Sequence, residues 1–110
     1  MKTTKKAKLR AAGWTLGTAE QLLGLTKEES EYVELKLALA EGIRSRRRVR
    51  HLTQDQLAKL VGSSQSRIAK MEAADPTVAL DLMIRSLFAT GVGTRELAGI
   101  IRKRARSTAA

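Results

Sequence analysis

Residues 53–72 of this 110-residue chain, TQDQLAKLVGSSQSRIAKME, carry its most specific structural pattern. Thr53, with Gln56 three residues later, forms a capping box, which is typical of the start of a helix. Gly62 can take the left-handed backbone conformation that ends this helix, and Ser64 can cap a second one. The stretch therefore predicts two short helices joined by a tight turn.

The apolar residues of this stretch recur at helical spacing, so the two helices are expected to bury a shared face. The buried set is Leu57, Ala58, Val61, Ile68 and Met71. The opposite face of the second helix is polar and basic, and it consists of Gln65, Ser66, Arg67 and Lys70. Such a helix can enter the major groove of duplex DNA while the start of the first helix approaches a phosphate.

Helical patterns also flank this stretch on both sides. A capping box that begins at Thr18 predicts a short helix ending at Gly24, and another that begins at Thr26 predicts a longer helix reaching about Val49. Downstream, one helix is expected from Leu80 to near Gly91 and a last one from Thr94. The chain has a single proline and no sustained period-2 alternation, so the predicted fold class is all-α.

The long helix that begins after Thr26 has two apolar faces. One stripe leads into an arginine cluster and consists of Val33, Leu37, Ala40, Ile43 and Arg47. Leu35 and Leu39 lie nearly opposite, so they need cover from the segment 16–25 or from another subunit. We favour cover by the segment 16–25 over cover by another subunit.

Positive charge is concentrated in three places along the chain. The net charge is +10, and residues 1–10, 44–50 and 101–110 carry +5, +5 and +4. We expect a disordered basic arm at 1–13, a domain at 14–100 and a basic tail at 101–110. Charge clustered in this way favours a polyanionic partner such as a nucleic acid or an anionic membrane.

Composition excludes several classes of function. The chain has no cysteine and one histidine, His51, so it offers no disulfide, no thiolate metal site and no other metal or cofactor site. The carboxylates of the long helix have no nucleophile–base pair and no glycine-rich phosphate loop beside them, so we expect no enzyme activity. These carboxylates are Glu28, Glu29, Glu31, Glu34 and Glu41.

The same composition narrows the polyanionic partner to duplex DNA. No apolar run is long enough to span a membrane, and the basic helix face carries no apolar side chain to insert into one. Only three aromatic residues are present, which is too few to stack the bases of single strands. Double-stranded DNA remains, and with it a cytoplasmic, nucleoid-associated location.

From Leu39 to about Leu97 the chain resembles the Cro/cI-like, Xre-type family of helix-turn-helix proteins. The resemblance is carried by TQ at residues 53–54, by Ala58 and Gly62, and by SQSRIAKME at residues 64–72. It implies a compact five-helix, repressor-like domain, here with an N-terminal helical extension. Ser63 departs from the pattern, because the family usually places an aliphatic residue there.

The resemblance also implies roles for individual residues. Gln54 and Ser64 would contact phosphates; Gln65, Ser66 and Lys70 would face bases, with Arg67 between the two roles. Arg47 and Glu72 would form an internal ion pair. Among the other arginines of the central cluster, we favour phosphate contacts over a merely solvated surface for Arg44, Arg48 and Arg50.

Two functional classes remain open at this point. The protein is either a transcriptional repressor acting through DNA alone, or an antitoxin that binds a small toxin protein and regulates its own operon, since the N-terminal extension is similar to that of HigA-type antitoxins. In both cases we expect a homodimer. Leu97, Ile100 and Ile101 are the candidate interface, unless the last helix folds back on its own core.

Overall fold

The computed structural model describes residues 24–109, with side chains up to residue 105. This range is all-α and contains five helices: α1 Lys27–Val49, α2 Gln54–Val61, α3 Gln65–Glu72, α4 Leu80–Ala89 and α5 Thr94–Ala109. The five-helix, repressor-like fold predicted from the sequence is confirmed. The expected basic arm at 1–13 and the expected helix beginning at Thr18 lie outside the described residues.

Side chains at the predicted capping positions begin the first three helices. At α1, the Thr26 hydroxyl accepts from the Glu29 N–H at 3.1 Å, and the Glu29 carboxylate accepts from the Thr26 N–H at 2.9 Å. Thr53 and Gln56 repeat this arrangement at α2, with distances of 3.1 and 2.8 Å. At α3, Ser64 accepts from the Arg67 N–H at 3.2 Å. These bonds satisfy backbone donors that a helix start otherwise leaves unpaired.

The first four helices end with a residue in the left-handed conformation. These residues are His51, Gly62, Ala74 and Gly91, with φ of 57°, 69°, 55° and 97°. After each of them the next N–H bonds back to a carbonyl in the last turn, for example from Asp75 to Lys70 at 3.0 Å. The two glycines lie where the sequence predicts helix ends, whereas His51 and Ala74 could not be predicted, because neither residue type is typical of a left-handed turn.

A single core lies where α1, α2, α3 and α4 meet. Its fully buried large side chains are Leu39, Ile43, Leu57, Ile68, Met71, Met83 and Leu87. Leu39 belongs to this core, and Leu35 packs against it. The expectation that Leu35 and Leu39 need the segment 16–25 or another subunit for cover is therefore wrong for Leu39, which the core of its own domain buries, whereas Leu35 is only partly buried.

Helix α5 runs antiparallel to α1. Near its start, Glu96 pairs with Arg46 at 3.7 Å; farther along, Ile100 lies against Gly42. Near residue 104, Arg104 donates to Glu34 at 3.2 Å and to Glu41 at 2.8 Å. Residue numbers thus fall along α1 as they rise along α5.

The position of α5 bears on two expectations. Residues 101–109, expected to form a basic tail, continue α5 to Ala109, and Arg104 bonds this part of the helix to α1. Leu97 and Ile100 are partly buried and pack against the core of their own domain, as the alternative of a last helix folded back on that core predicts. Ile101, the third residue of the candidate interface, is 36% exposed.

Candidate nucleic-acid interface

Helices α2 and α3 form the helix-turn-helix that the sequence predicts. Leu57 and Ala58 of α2 and Ile68 and Met71 of α3 are buried against each other and the core. Gly62 provides the turn, with φ of 69°, a conformation that costs a residue without a Cβ little. This packing fixes which side of α3 faces solvent.

The outward side of α3 is polar and basic along its whole length. Gln65, Ser66, Arg67 and Lys70 are all exposed, opposite the buried Ile68. Since successive residues of a helix are about 100° apart, Gln65 and Arg67 lie on opposite flanks of this face, with Ser66 between them. The structure thus places the four residues with predicted base contacts on one surface.

A chain of hydrogen bonds holds one flank of this surface to the interior. Arg47 of α1 donates to the two Glu72 oxygens at 2.5 and 3.0 Å, and to the Leu52 carbonyl at 2.9 Å. Gln54 donates to Glu72 at 3.1 Å and accepts from the Gln65 amide at 2.7 Å. The internal ion pair and the exposed glutamine of the recognition surface are therefore parts of one network.

The two charged members of this network are shielded from water. The side chain of Glu72 is 6% exposed and that of Arg47 is 13% exposed. The hydrogen bonds to Glu72 are the main reason that the pKa of Arg47 is raised above its ordinary value. Arg47 therefore stays charged, and its fixed fork of donors keeps the carboxylate in place for Gln54.

The predicted phosphate-contacting residues occupy different surroundings. Ser64 caps α3, and Arg44 and Arg48 are exposed near the end of α1. Arg50 has an intramolecular role that sequence analysis did not predict, because it donates to the Thr90 carbonyl at 2.7 Å and so binds the end of α4.

Beside the other flank of α3 lies a polar pocket of about 210 Å³. It is lined by Ser64, Ser66, Arg67, Lys70, Thr77 and Val78. Two cationic side chains with neighbouring hydroxyl groups suit the oxygens of a phosphate. Sequence analysis missed Thr77 and Val78, because their approach to α3 depends on the path of the segment between α3 and α4.

That segment is held by two polar residues. Asp75 accepts from the N–H and the hydroxyl of Thr77 at 2.8 and 2.6 Å, and these bonds lower the pKa of Asp75. The ammonium of Lys36 donates to the carbonyls of Val78, Asp75 and Pro76 at 2.5, 3.3 and 3.5 Å. Lys36 is only 5% exposed, so its ammonium loses most of its hydration on folding. The three carbonyls compensate by accepting its hydrogen bonds.

Within residues 24–109 no helix is both long and apolar enough to cross a membrane. The same range holds no cluster of three or more side chains suited to bind a metal ion.

The fold and this surface define a helix-turn-helix protein with a basic recognition helix. The family model described as Helix-turn-helix matches residues 43–97, which is half of the chain. The chain belongs to this family, the Cro/cI-type or Xre family of DNA-binding transcription regulators, whose members are typically not enzymes. No curated protein and no solved structure matches the chain.

Proposed function

We propose that this DNA-binding transcription regulator is a sequence-specific repressor that reads double-stranded DNA as a homodimer. The observation that carries the proposal is the hydrogen-bond chain from the buried Arg47–Glu72 pair through Gln54 to Gln65. A glutamine amide held in this way is oriented before DNA arrives.

Orientation matters because a glutamine reads adenine with two bonds at once. One amide hydrogen of Gln65 is donated to Gln54, which leaves the second hydrogen and the oxygen to meet the N7 and N6 groups of an adenine. Side chains that are ordered in advance lose less conformational entropy on binding. Gln65 is therefore the residue for which we expect the strongest base preference, with Ser66 beside it.

The positive charges around Gln65 supply the affinity that does not depend on sequence. Arg67, which stands between base and phosphate contacts, lines the polar pocket at one flank of α3, and Arg48 extends the positive surface from the end of α1. Contacts of these groups with phosphates would release counterions. Binding should therefore weaken steeply as salt rises.

We expect a homodimer because one recognition helix contacts too few base pairs to specify an operator. A single helix contacts only a few base pairs, and two copies reading half-sites about 34 Å apart multiply the specificity. Repression results when such a dimer occupies a promoter. We expect this activity in the cytoplasm, at the nucleoid, without a cofactor and without catalysis; a toxin partner stays a prediction from the resemblance.

The test compares two variants on the DNA upstream of the gene, after a footprint has located the operator. Gln65→Ala should cost about 1–3 kcal/mol on the operator and little on random DNA, because it removes a base contact. Arg48→Ala should weaken binding to the operator and to random DNA by similar factors, because phosphates carry no sequence information. It should also reduce the slope of log K against log salt by about 1.

The matched control is Arg85→Ala, which removes an exposed arginine from α4, outside the helix-turn-helix. It should leave both affinities unchanged. For the unaltered dimer, log K against log salt should have a slope near −5 to −9 if roughly 6–10 phosphates are contacted. The absence of a footprint would refute sequence-specific binding, and a slope near zero would refute the phosphate contacts.

A further inference from the structure

The buried ammonium of Lys36 lies outside the helix-turn-helix, yet it bonds to the segment that forms one wall of the polar pocket. It donates to the Val78 carbonyl at 2.5 Å, and it is 3.3 and 3.5 Å from the carbonyls of Asp75 and Pro76. Lys36 belongs to α1 and is almost completely buried. The charge that holds this wall therefore comes from a helix that is not part of the recognition motif.

The segment between α3 and α4 depends on this support because it has no regular secondary structure. Val78 is buried in the core, and its N–H donates to the Asp75 carbonyl at 3.1 Å. Without the Lys36 ammonium, the Val78 carbonyl would lose the donor of a buried hydrogen bond. A buried carbonyl that lacks a donor is costly, so we expect the segment to shift until water reaches it.

Such a shift would change the pocket beside α3, because Thr77 and Val78 line it together with Arg67. The Thr77 hydroxyl donates its hydrogen to the Asp75 carboxylate at 2.6 Å, so its oxygen can only accept from groups in the pocket. Arg67 carries five N–H donors in a fixed fork. An acceptor on the wall can therefore orient the guanidinium while the remaining donors stay free to meet a phosphate.

We propose that Lys36 is a positioning residue for this phosphate contact. Its ammonium holds residues 75–78 in place, so that Thr77 keeps Arg67 directed towards the DNA backbone. The inference rests on the proposed function, because it concerns how the surface beside the recognition helix meets DNA. Lys36 is buried and does not line the pocket, so it acts through the wall and not by touching DNA.

The test measures binding of Lys36→Met to the operator and to random DNA. Methionine keeps an unbranched side chain of similar length but carries no charge. Affinity for both DNAs should fall about tenfold, as expected for one charge-assisted hydrogen bond, and the slope of log K against log salt should become shallower. Lys27→Met, at an exposed lysine of the same helix, is the matched control and should change neither quantity.

A double-mutant cycle shows whether Lys36 acts through the pocket. Arg67→Ala should also weaken binding to both DNAs, because it removes the group that Lys36 positions. Adding Lys36→Met to Arg67→Ala should then cause little further loss, since both changes remove the same contact. A change that only weakened the fold would add its full effect in either background.

Chemical rescue separates the charge of Lys36 from the packing of its side chain. The chain has no cysteine, so Lys36→Cys offers a single thiol. Aminoethylation of this thiol in urea, followed by refolding, restores an ammonium as many bonds from the backbone as in lysine. The aminoethylated protein should recover the original affinity and salt slope, whereas the same variant alkylated with iodoacetamide should bind like Lys36→Met.

A second variant keeps the test valid if circular dichroism shows that Lys36→Met does not fold. Thr77→Val changes an exposed residue, removes the acceptor on the wall and keeps the N–H that donates to Asp75. It should weaken binding to both DNAs, with little further loss in the Arg67→Ala background.

Three results would overturn the proposal. The first is a folded Lys36→Met that binds both DNAs as tightly as the original protein, or that loses affinity for the operator alone. The second is an aminoethylated protein that regains its helicity but not its affinity, and the third is a full additional loss from Thr77→Val in the Arg67→Ala background. Failure of the proposed function would look different, because the original protein would then bind the operator no better than random DNA.

Discussion

The buried pair of Arg47 and Glu72 gives the sharpest prediction about stability. Each side chain is shielded from water, and Glu72 accepts two bonds from Arg47 and one from Gln54. Replacing one partner leaves the other charge buried without compensation. We expect Arg47→Met and Glu72→Leu each to lower the free energy of unfolding by about 3–5 kcal/mol. A domain of this size has only about 5–15 kcal/mol of stability, so either variant should be marginal.

The double variant Arg47→Met/Glu72→Leu removes both charges and fills the space with apolar side chains. Its free energy of unfolding should return to within about 1–2 kcal/mol of the original, because replacing a buried pair by hydrocarbon is often nearly neutral. Urea unfolding followed by circular dichroism measures all three variants. If each single change costs less than about 1 kcal/mol, the pair behaves like a surface ion pair and the reasoning is wrong.

The same double variant separates folding from recognition. This variant should be folded, but Gln54 would have no carboxylate to hold it, so Gln65 should lose its orientation. Operator affinity should fall while affinity for random DNA stays nearly constant, and Gln65→Ala should then cost less in this background than in the original protein. Equal losses from Gln65→Ala in both backgrounds would show that the two sites are not coupled.

The remaining predictions concern turns, helix packing and pH. Gly62→Ala should destabilise by about 1 kcal/mol and Ala74→Gly should stabilise by about 0.5–1 kcal/mol, since both positions are left-handed; thermal melts of the two variants check the opposite signs. Gly42→Leu should lower the free energy of unfolding by about 1–3 kcal/mol although leucine has the better helix propensity, because a Cβ at this position would lie only 3.0 Å from the Ile100 side chain. Urea melts measure this loss. The folded-state pKa of Asp75 is lowered, so its stabilisation is present above about pH 4 and is lost as pH falls through the lowered value. Asp75→Ala should flatten that acid-side loss in urea melts at a series of pH values, and an unchanged slope would contradict the assignment.

The sequence by itself determined the helices and the recognition surface. Capping at Thr26, Thr53 and Ser64 depends on atoms within three residues, and burial of Ile68 opposite Ser66 depends only on helical period. Both features depend on residues that are close in sequence, so they can be predicted without knowing how the helices pack.

Apart from the Arg47–Glu72 pair, the charged residues that hold the fold together are evident only from the way the helices pack. Lys36 bonds to a carbonyl 42 residues away, Arg50 to one 40 residues away, and Arg104 to a carboxylate 63 residues away. In sequence, these three look like solvated or DNA-binding charges. Their partners depend on how α1 packs against α4, α5 and the segment after α3. Local sequence propensity does not predict that packing.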